Sequence, residues 1–72
     1  MSEVGEKLLS LRTEHKLALH DVCQKAGIPP SRLVEIERGV RLATPGQIER
    51  LENIYEVKSG ELAELAGLSE NT

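Results

Sequence analysis

Residues 17–39 decide the fold, and they read LALHDVCQKAGIPPSRLVEIERG. The first part of this stretch predicts a short helix over about 19–25. Gly27 ends that helix, because glycine readily adopts the positive φ found just past many helices. A second short helix is predicted to start at Pro30, since proline lacks the N–H that the first helical turn leaves unpaired. It ends at Gly39, so the stretch predicts two short helices that cross steeply at a glycine turn.

This pair of helices has the outline of a helix-turn-helix, a motif that many DNA-binding proteins use. The tight turn lets the second helix project one exposed face, which fits the major groove of DNA, about 12 Å wide. The outline alone has moderate specificity, because many helical hairpins contain a glycine in the turn.

The flanking sequence predicts three more helices. The first covers about residues 3–14, where apolar residues recur at helical spacing, and Leu9 falls off this stripe and is expected to be exposed. The dipeptide Thr44-Pro45 provides a cap and a first-turn proline for a fourth helix. A fifth helix is expected over about 60–66, with Ser59 as its cap.

The chain is therefore predicted to be all-α, a five-helix orthogonal bundle in one domain over residues 1–72. No stretch alternates apolar and polar residues over more than a few positions, so strands are not expected. Within the domain, the helix-turn-helix unit covers about 18–39 and the last two helices about 45–66. The polar tail, residues 67–72, is expected to be frayed.

Composition excludes several classes of protein. The chain has 72 residues and no apolar run that approaches the roughly 18 residues of a membrane span. Its first residues lack the basic and apolar regions of a secretion signal, which favours a cytoplasmic protein. Cys23 is the single cysteine. It cannot form an internal disulfide, and a buried thiol is favoured over a redox sensor.

Enzymatic chemistry has no support in the sequence. It shows no glycine-rich phosphate loop, no paired metal ligands and no nucleophile with an adjacent base. His15 and His20 are five residues apart, which is poor spacing for a metal on one helix face. The sequence therefore predicts no catalytic residue, no metal, no cofactor and no small-molecule ligand.

Charge is unevenly distributed along the chain. The whole chain has 12 acidic and 9 basic residues, a net charge of −3, which is not the footprint expected of a nucleic-acid binder. Residues 18–44, however, carry four basic and three acidic residues, whereas residues 45–72 carry two basic and six acidic ones. The helix-turn-helix part thus has a small basic excess. This balance predicts weak non-specific binding to DNA, with specificity resting on few contacts.

A set of residues with a recognisable order and spacing extends over about residues 4–65. They are Gly5-Glu6-Lys7-Leu8, Leu11-Arg12, Leu17, Val22, Lys25-Ala26-Gly27-Ile28, Leu33, Ile36-Glu37-Arg38-Gly39, Pro45, Ile48, Leu51, Ile54-Tyr55-Glu56-Val57 and Leu62. With this spacing the chain resembles the XRE or Cro/repressor family of lambda repressor-like helix-turn-helix domains. The resemblance implies a non-enzymatic, sequence-specific DNA-binding regulator of the repressor type, from a bacterium or a phage.

The resemblance implies an ion pair between Arg12 on the first helix and Glu37 at the end of the third. The alternative is that both are solvated surface charges. Several positions depart from the family's pattern, among them Leu19 and the Pro29-Pro30 pair. Ala18 stands where a polar cap is frequent, Glu52 where a small apolar residue is usual, and Tyr55 in place of an aliphatic residue. If it is buried, the Tyr55 hydroxyl needs a hydrogen-bond partner or a water molecule.

Base reading falls, by the same resemblance, to the start of the third helix. The matching positions are Pro30, Ser31, Arg32 and Glu35. Ser31 either touches a base edge or a phosphate, or only supports the start of the helix. Arg32 is expected to contact guanine or a phosphate rather than remain solvated. Glu35 accepts a hydrogen bond from cytosine N4, repels phosphates, or pairs internally with Arg32 or Arg38.

Phosphate contacts are expected from basic side chains and from the amides at the starts of the second and fourth helices. The residues concerned are His20, Lys25, Arg38, Arg41 and Thr44. For His20, a surface histidine without a role is an equal alternative.

The expected working form is a homodimer on a pseudo-palindromic site in double-stranded DNA, because one such domain buries only a modest area. Leu62, Leu65 and Leu68 recur at i, i+3 and i+6 and are the predicted dimer surface. The alternative is that Leu62 and Leu65 close the core. The expected location is the cytoplasm, at the nucleoid, with no membrane partner.

A second hypothesis is a protein-interaction module on the same scaffold, such as an antitoxin-like or anti-repressor partner that does not read DNA. The acidic balance, Glu35 and the Pro29-Pro30 pair motivate it. A positive potential around the third helix favours DNA binding, and a neutral or negative one favours the interaction module.

Overall fold

The structure is a computed structural model that describes residues 3–67. Five α-helices make up this range, and no strand occurs within it. The helices are α1 (Glu3–Glu14), α2 (Leu19–Ala26), α3 (Pro30–Arg38), α4 (Pro45–Ile54) and α5 (Glu61–Leu65). The all-α prediction is confirmed, and the helix ends predicted from glycine, proline and apolar spacing lie within one residue of the observed ones. The predicted frayed tail lies outside the described residues, except for Gly67.

One apolar core joins all five helices. Its buried residues are Leu8, Leu11, Val22, Cys23, Ala26, Ile28, Leu33, Ile36, Ile48, Leu51, Tyr55 and Leu62. Leu9 lies off the inner stripe of α1 and is exposed, as the periodicity predicts. Cys23 is a buried free thiol, and burial raises its pKa. The favoured interpretation of this cysteine as a small core residue is consistent with that environment.

Leu62 belongs to this core and does not form part of an outer surface. Its side chain is 0% exposed, because α5 turns it onto the residues that α4 contributes to the core. The dimer surface expected at Leu62, Leu65 and Leu68 is therefore corrected. Leu62 is a core residue and is not available to such a surface. Leu65 is partly exposed, and Leu68 lies outside the described residues.

Four helices end in the same hydrogen-bond pattern. A residue one or two positions past each helix end adopts a left-handed conformation, and the next amide donates to a carbonyl five residues back. Those bonds are Leu17 to Arg12, Ile28 to Cys23, Val40 to Glu35 and Val57 to Glu52. Gly27 and Gly39 supply the left-handed residue after α2 and α3, whereas Lys16 (φ 56°) and Glu56 (φ 55°) supply it after α1 and α4.

The start of α2 is stabilised from inside the helix. Ala18 has no side-chain acceptor for a cap, but the Asp21 carboxylate accepts from the Ala18 amide at 3.2 Å. An acidic side chain in the first turn also complements the positive end of the helix dipole. The missing polar cap is thus replaced by the residue three positions later.

The start of α4 has the predicted cap. The Gln47 amide donates to Thr44 Oγ1 at 3.1 Å, and the Thr44 amide donates to Gln47 Oε1 at 3.0 Å. This reciprocal pair is a capping box, followed by Pro45 at the first helical position.

The start of α5 is not capped by Ser59, so that prediction is wrong. Gly60 occupies the cap position with φ 91°, and the acceptor comes from another helix. Glu52 Oε2 on α4 accepts from the amides of Leu62 at 2.9 Å and Ala63 at 3.1 Å. Glu52 is only 5% exposed. An ionised acceptor on two free amides suits this buried position, because charge-assisted hydrogen bonds offset the loss of hydration.

Tyr55 is the largest fully buried side chain, and its hydroxyl has no hydrogen-bond partner among the described residues. Its ring lies 5.6 Å from that of His15, between ring centroids. Burial, with a further contribution from the charge of Glu37, raises the Tyr55 pKa to about 12.

Candidate nucleic-acid interface

The inner side of α3 is fixed to α1 by the core and by one ion pair. Leu33 and Ile36 are fully buried. Arg12 Nε donates to Glu37 Oε2 at 2.9 Å and Arg12 Nη2 to Glu37 Oε1 at 3.1 Å, so the contact is bidentate. Arg12 Nη1 also donates to the Leu17 carbonyl at 3.3 Å. One guanidinium therefore links α1, the connector that follows it and the end of α3, and the hydrogen bond to Glu37 raises the pKa of Arg12.

The end of α2 is fixed by a contact that the sequence analysis missed. Arg50 on α4 donates from Nη1 to the Ala26 carbonyl at 2.9 Å, and the Arg50 guanidinium also lies near Gly27. A cation suits the carbonyls at the end of a helix. No local signal could reveal this contact, because its partners are 24 residues apart in the sequence.

The outer side of α3 carries the residues expected to read bases. Pro30, Ser31, Arg32 and Arg38 are exposed, and Glu35 is partly exposed. Ser31, Glu35 and Arg38 follow the i, i+4, i+7 spacing of one helix stripe, and Arg32 stands one turn before Glu35. The buried residues of α3 (Leu33, Ile36, Glu37) lie on its other side. The helix thus has one anchored side and one polar side with two arginines.

Glu35 forms an ion pair with Arg41, and the sequence analysis had offered Arg32 or Arg38 as its internal partner. Arg41 Nε donates to Glu35 Oε1. The reason is the chain reversal at Gly39 (φ 81°), which brings the loop of residues 39–44 back beside α3. The hydrogen bond and charge of Arg41, and then the charge of Arg32, hold the pKa of the Glu35 carboxyl below its usual range.

The α3–α4 loop (residues 39–44) is the most exposed apolar segment beside this side of α3. Val40 is 73% exposed and Leu42 is 82% exposed. After α1, α2 and α4, the residue in the position of Val40 is Leu17, Ile28 or Val57, and each packs into or against the core. The apolar residue at this position is therefore exposed after α3, whereas it is buried or partly buried after the other three helices.

The remaining predicted phosphate contacts are at the starts and ends of neighbouring helices. His20 is exposed in the first turn of α2, and Lys25 is exposed in its last turn. The first two amides of α2 have no acceptor within the helix. At α4 the expectation needs correction, because the Thr44 amide already donates to Gln47 and Pro45 has no N–H. Among the first residues of α4, only the Gly46 amide remains for a phosphate there.

Other kinds of site find little support in residues 3–67. No group of three or more metal-ligating side chains comes together within this range. A shallow depression of about 270 Å³ is lined by Lys58, Ser59, Gly60, Glu61 and Glu64, none of which lies on α3. No helix among the described residues has the length and hydropathy of a membrane span.

Two short helices joined at a left-handed glycine, with the second anchored on one side and polar on the other, define a helix-turn-helix domain. A family model described as a helix-turn-helix domain matches residues 3–66. The chain belongs to this helix-turn-helix family, which lies within the XRE or lambda repressor-like group. No curated protein and no solved structure matches the chain significantly. The family indicates a DNA-binding regulator, and its members are typically not enzymes.

Proposed function

We propose that the protein is a sequence-specific transcriptional regulator of the repressor type that reads the major groove with α3. The observation that carries the proposal is the two-sided construction of α3. Its inner side is fixed by buried residues and by the Arg12–Glu37 pair, while Ser31, Arg32 and Glu35 remain on the outer side. A reading helix must be held rigidly and must present polar groups outward, since its base contacts depend on position.

Arg32 is the side chain best suited to base reading in this arrangement. It is exposed in the first turn of α3, and an arginine there can donate two hydrogen bonds to the O6 and N7 of guanine. Lys25, Arg38 and His20 supply further donors on neighbouring helix ends, and they would hold phosphates. Phosphate contacts set the register, whereas base contacts such as that of Arg32 supply the discrimination between bases.

The working form in this proposal is a homodimer on a pseudo-palindromic site of double-stranded DNA, in the cytoplasm at the nucleoid of a bacterium or of a phage-infected cell. With Leu62 in the core, Leu65 on α5 is the partly exposed leucine available for the dimer surface among the described residues. Two-fold symmetry would place both copies of α3 in successive major grooves.

The experiment is selection of bound duplexes from a random pool, followed by anisotropy titration with the selected site at several salt concentrations. We expect a dissociation constant that rises steeply with salt. Arg32→Ala should weaken binding to the selected site by about 10- to 100-fold, corresponding to a good base contact. Lys58→Ala, which removes the same charge from the exposed α4–α5 connector, should change binding by less than about twofold. Failure of the folded wild-type protein to bind any selected duplex at about 50 mM salt would refute the proposal.

One observation favours the protein-interaction module as a second candidate. The Glu35–Arg41 pair neutralises one positive and one negative charge beside α3, which lowers the attraction of this surface for phosphates. The same titration distinguishes the candidates, because an interaction module would bind no duplex while remaining folded.

A further inference from the structure

Glu35 and Arg41 are assigned separately to base and phosphate contacts, but in the free protein they bind each other. The Glu35 carboxylate accepts from Arg41 Nε, and both side chains remain nearly half exposed at 43% and 45%. The reversal at Gly39 and the bond from the Val40 amide to the Glu35 carbonyl hold the loop beside α3. In the absence of DNA, Glu35 and Arg41 therefore bind each other.

Arg41 carries the whole charge of its loop. Between Gly39 and Thr44 it is the only charged residue, and its neighbours Val40 and Leu42 are exposed apolar side chains. Whatever attraction this loop has for a phosphate must come mainly from Arg41. On the outer side of α3, Glu35 is likewise the acidic residue that faces solvent, because Glu37 is buried against Arg12.

We propose that Glu35 determines specificity by withholding Arg41 from phosphates until a base edge takes over the Glu35 carboxylate. This inference rests on the proposed function. On a non-cognate duplex the carboxylate meets no suitable donor, so it still competes with phosphates for Arg41 and lowers the contribution of Arg41 to binding. On the cognate duplex an exocyclic amino group, such as N4 of cytosine, donates to Glu35 and releases Arg41 to a phosphate. The correct sequence then gains the base contact of Glu35 and the full phosphate contact of Arg41, whereas an incorrect sequence gains neither in full.

The exchange is physically accessible because exposed ion pairs are weak. Both partners are partly exposed, so replacing a carboxylate by a phosphate on Arg41 does not require breaking a buried contact. Glu35 also stays ionised in the free protein, because Arg41 and Arg32 both hold the pKa of its carboxyl below the usual range. An ionised carboxylate is a strong acceptor for a base amino group.

The test compares Glu35→Gln with Glu64→Gln on the selected duplex and on a scrambled duplex of equal length and composition. Glu64 is exposed on α5, so its variant makes the same charge change outside the proposed interface. We expect Glu35→Gln to bind the scrambled duplex about 3- to 10-fold more tightly than wild type, with a salt slope steeper by about 0.9, equal to one added phosphate. Its affinity for the selected duplex should not rise, so its specificity ratio falls by at least about threefold. Glu64→Gln should change both affinities by less than about twofold.

A double-mutant cycle with Arg41→Ala separates withholding from simple repulsion between Glu35 and phosphates. If Glu35 acts by holding Arg41, the gain from Glu35→Gln on scrambled DNA disappears in the Arg41→Ala background. A gain of equal size in that background means repulsion and overturns the inference. So does a loss of affinity in Glu35→Gln, which would mean that Glu35 positions Arg41 for its phosphate. Wild-type protein that binds no selected duplex refutes both the inference and the proposed function, whereas the other outcomes leave DNA binding intact.

Discussion

Two carboxylates are buried at two helix junctions of this molecule, and their surroundings neutralise them differently. At the α1–α3 junction, Glu37 is 8% exposed and faces the guanidinium of Arg12. At the α4–α5 junction, Glu52 is 5% exposed and accepts from two backbone amides of α5. The guanidinium is present whether or not a helix has formed, whereas the two amides are oriented for Glu52 only when α5 is folded. The Arg12–Glu37 pair therefore holds two helices together, whereas the contacts of Glu52 also stabilise the start of α5 itself.

The largest effect is expected from breaking the α1–α3 junction on one side. Arg12→Met leaves Glu37 buried without its cation and should lower the free energy of unfolding by about 3 kcal/mol. The double variant Arg12→Met with Glu37→Leu should recover most of this loss, because a buried ion pair replaced by apolar residues is often near neutral in stability. Urea unfolding followed by circular dichroism measures both. Equal stabilities for the single variant and wild type would show that the pair is effectively solvated.

A smaller and more local effect is expected at the α4–α5 junction. Glu52→Ala leaves two helix-start amides without their acceptor and should cost about 2 kcal/mol, and Glu52→Gln about half of that. Hydrogen exchange should show faster exchange of the Leu62 and Ala63 amides, while the amides of α3 keep their protection relative to global stability.

Glu49→Ala, on the exposed side of the same helix, is the matched control and should change the exchange rates little. Uniformly faster exchange through all five helices in Glu52→Ala would contradict a local role. The comparison between the two junctions would then lose its basis.

The smallest effect is expected at Tyr55, the residue that follows α4, whose pKa responds to the charge of Glu37 at the other junction. Tyr55→Phe removes a buried hydroxyl that has no partner and should raise stability by about 1 kcal/mol near pH 7. The folded pKa of about 12 lies above the ordinary value of 10.0. Ionisation of Tyr55 therefore does not lower the free energy of unfolding below about pH 10. As the pH rises from 10 to 12 the free energy of unfolding falls, because the unfolded chain loses the proton first.

Urea unfolding from pH 8 to 11 checks this prediction, and Tyr55→Phe should lose stability less steeply above pH 10 than wild type. Tyr55→Leu is the contrasting variant, since it also removes ring volume and should be destabilising. Parallel pH profiles for wild type and Tyr55→Phe would mean that the hydroxyl is hydrated in the folded protein.

The parts of the fold that were predictable from sequence depend on local chemistry. Gly27 and Gly39 mark helix ends, and Thr44-Pro45 marks a helix start, because each acts on the few residues beside it. The prediction of Ser59 as the cap of α5 was wrong because it used only such local chemistry. The true acceptor, Glu52, is ten residues from the amide it binds, and no local rule connects the two.

Contacts over longer separations were predictable only where a resemblance supplied them. Arg12 and Glu37 are 25 residues apart, and the family's pattern implied their pair. Arg50 and Ala26 are 24 residues apart, but no pattern was available for them. Glu35 was recognised as a residue with an internal partner, and the partner was misassigned because the path of the loop after Gly39 sets it. The residues expected to read bases share the exposed side of α3, and their contacts with DNA remain a proposal.

The left-handed residues that end four of the helices have a consequence for how the sequence can drift in evolution. After α2 and α3 this position is glycine, and after α1 and α4 it is Lys16 or Glu56, held at a φ that L-residues adopt with strain. Mutation at Gly27 or Gly39 would introduce that strain next to α3. At Lys16 and Glu56 the strain is already present, so substitution by glycine, asparagine or aspartate meets little resistance. Related sequences should therefore vary at the two outer connectors while they keep glycine on both sides of α3.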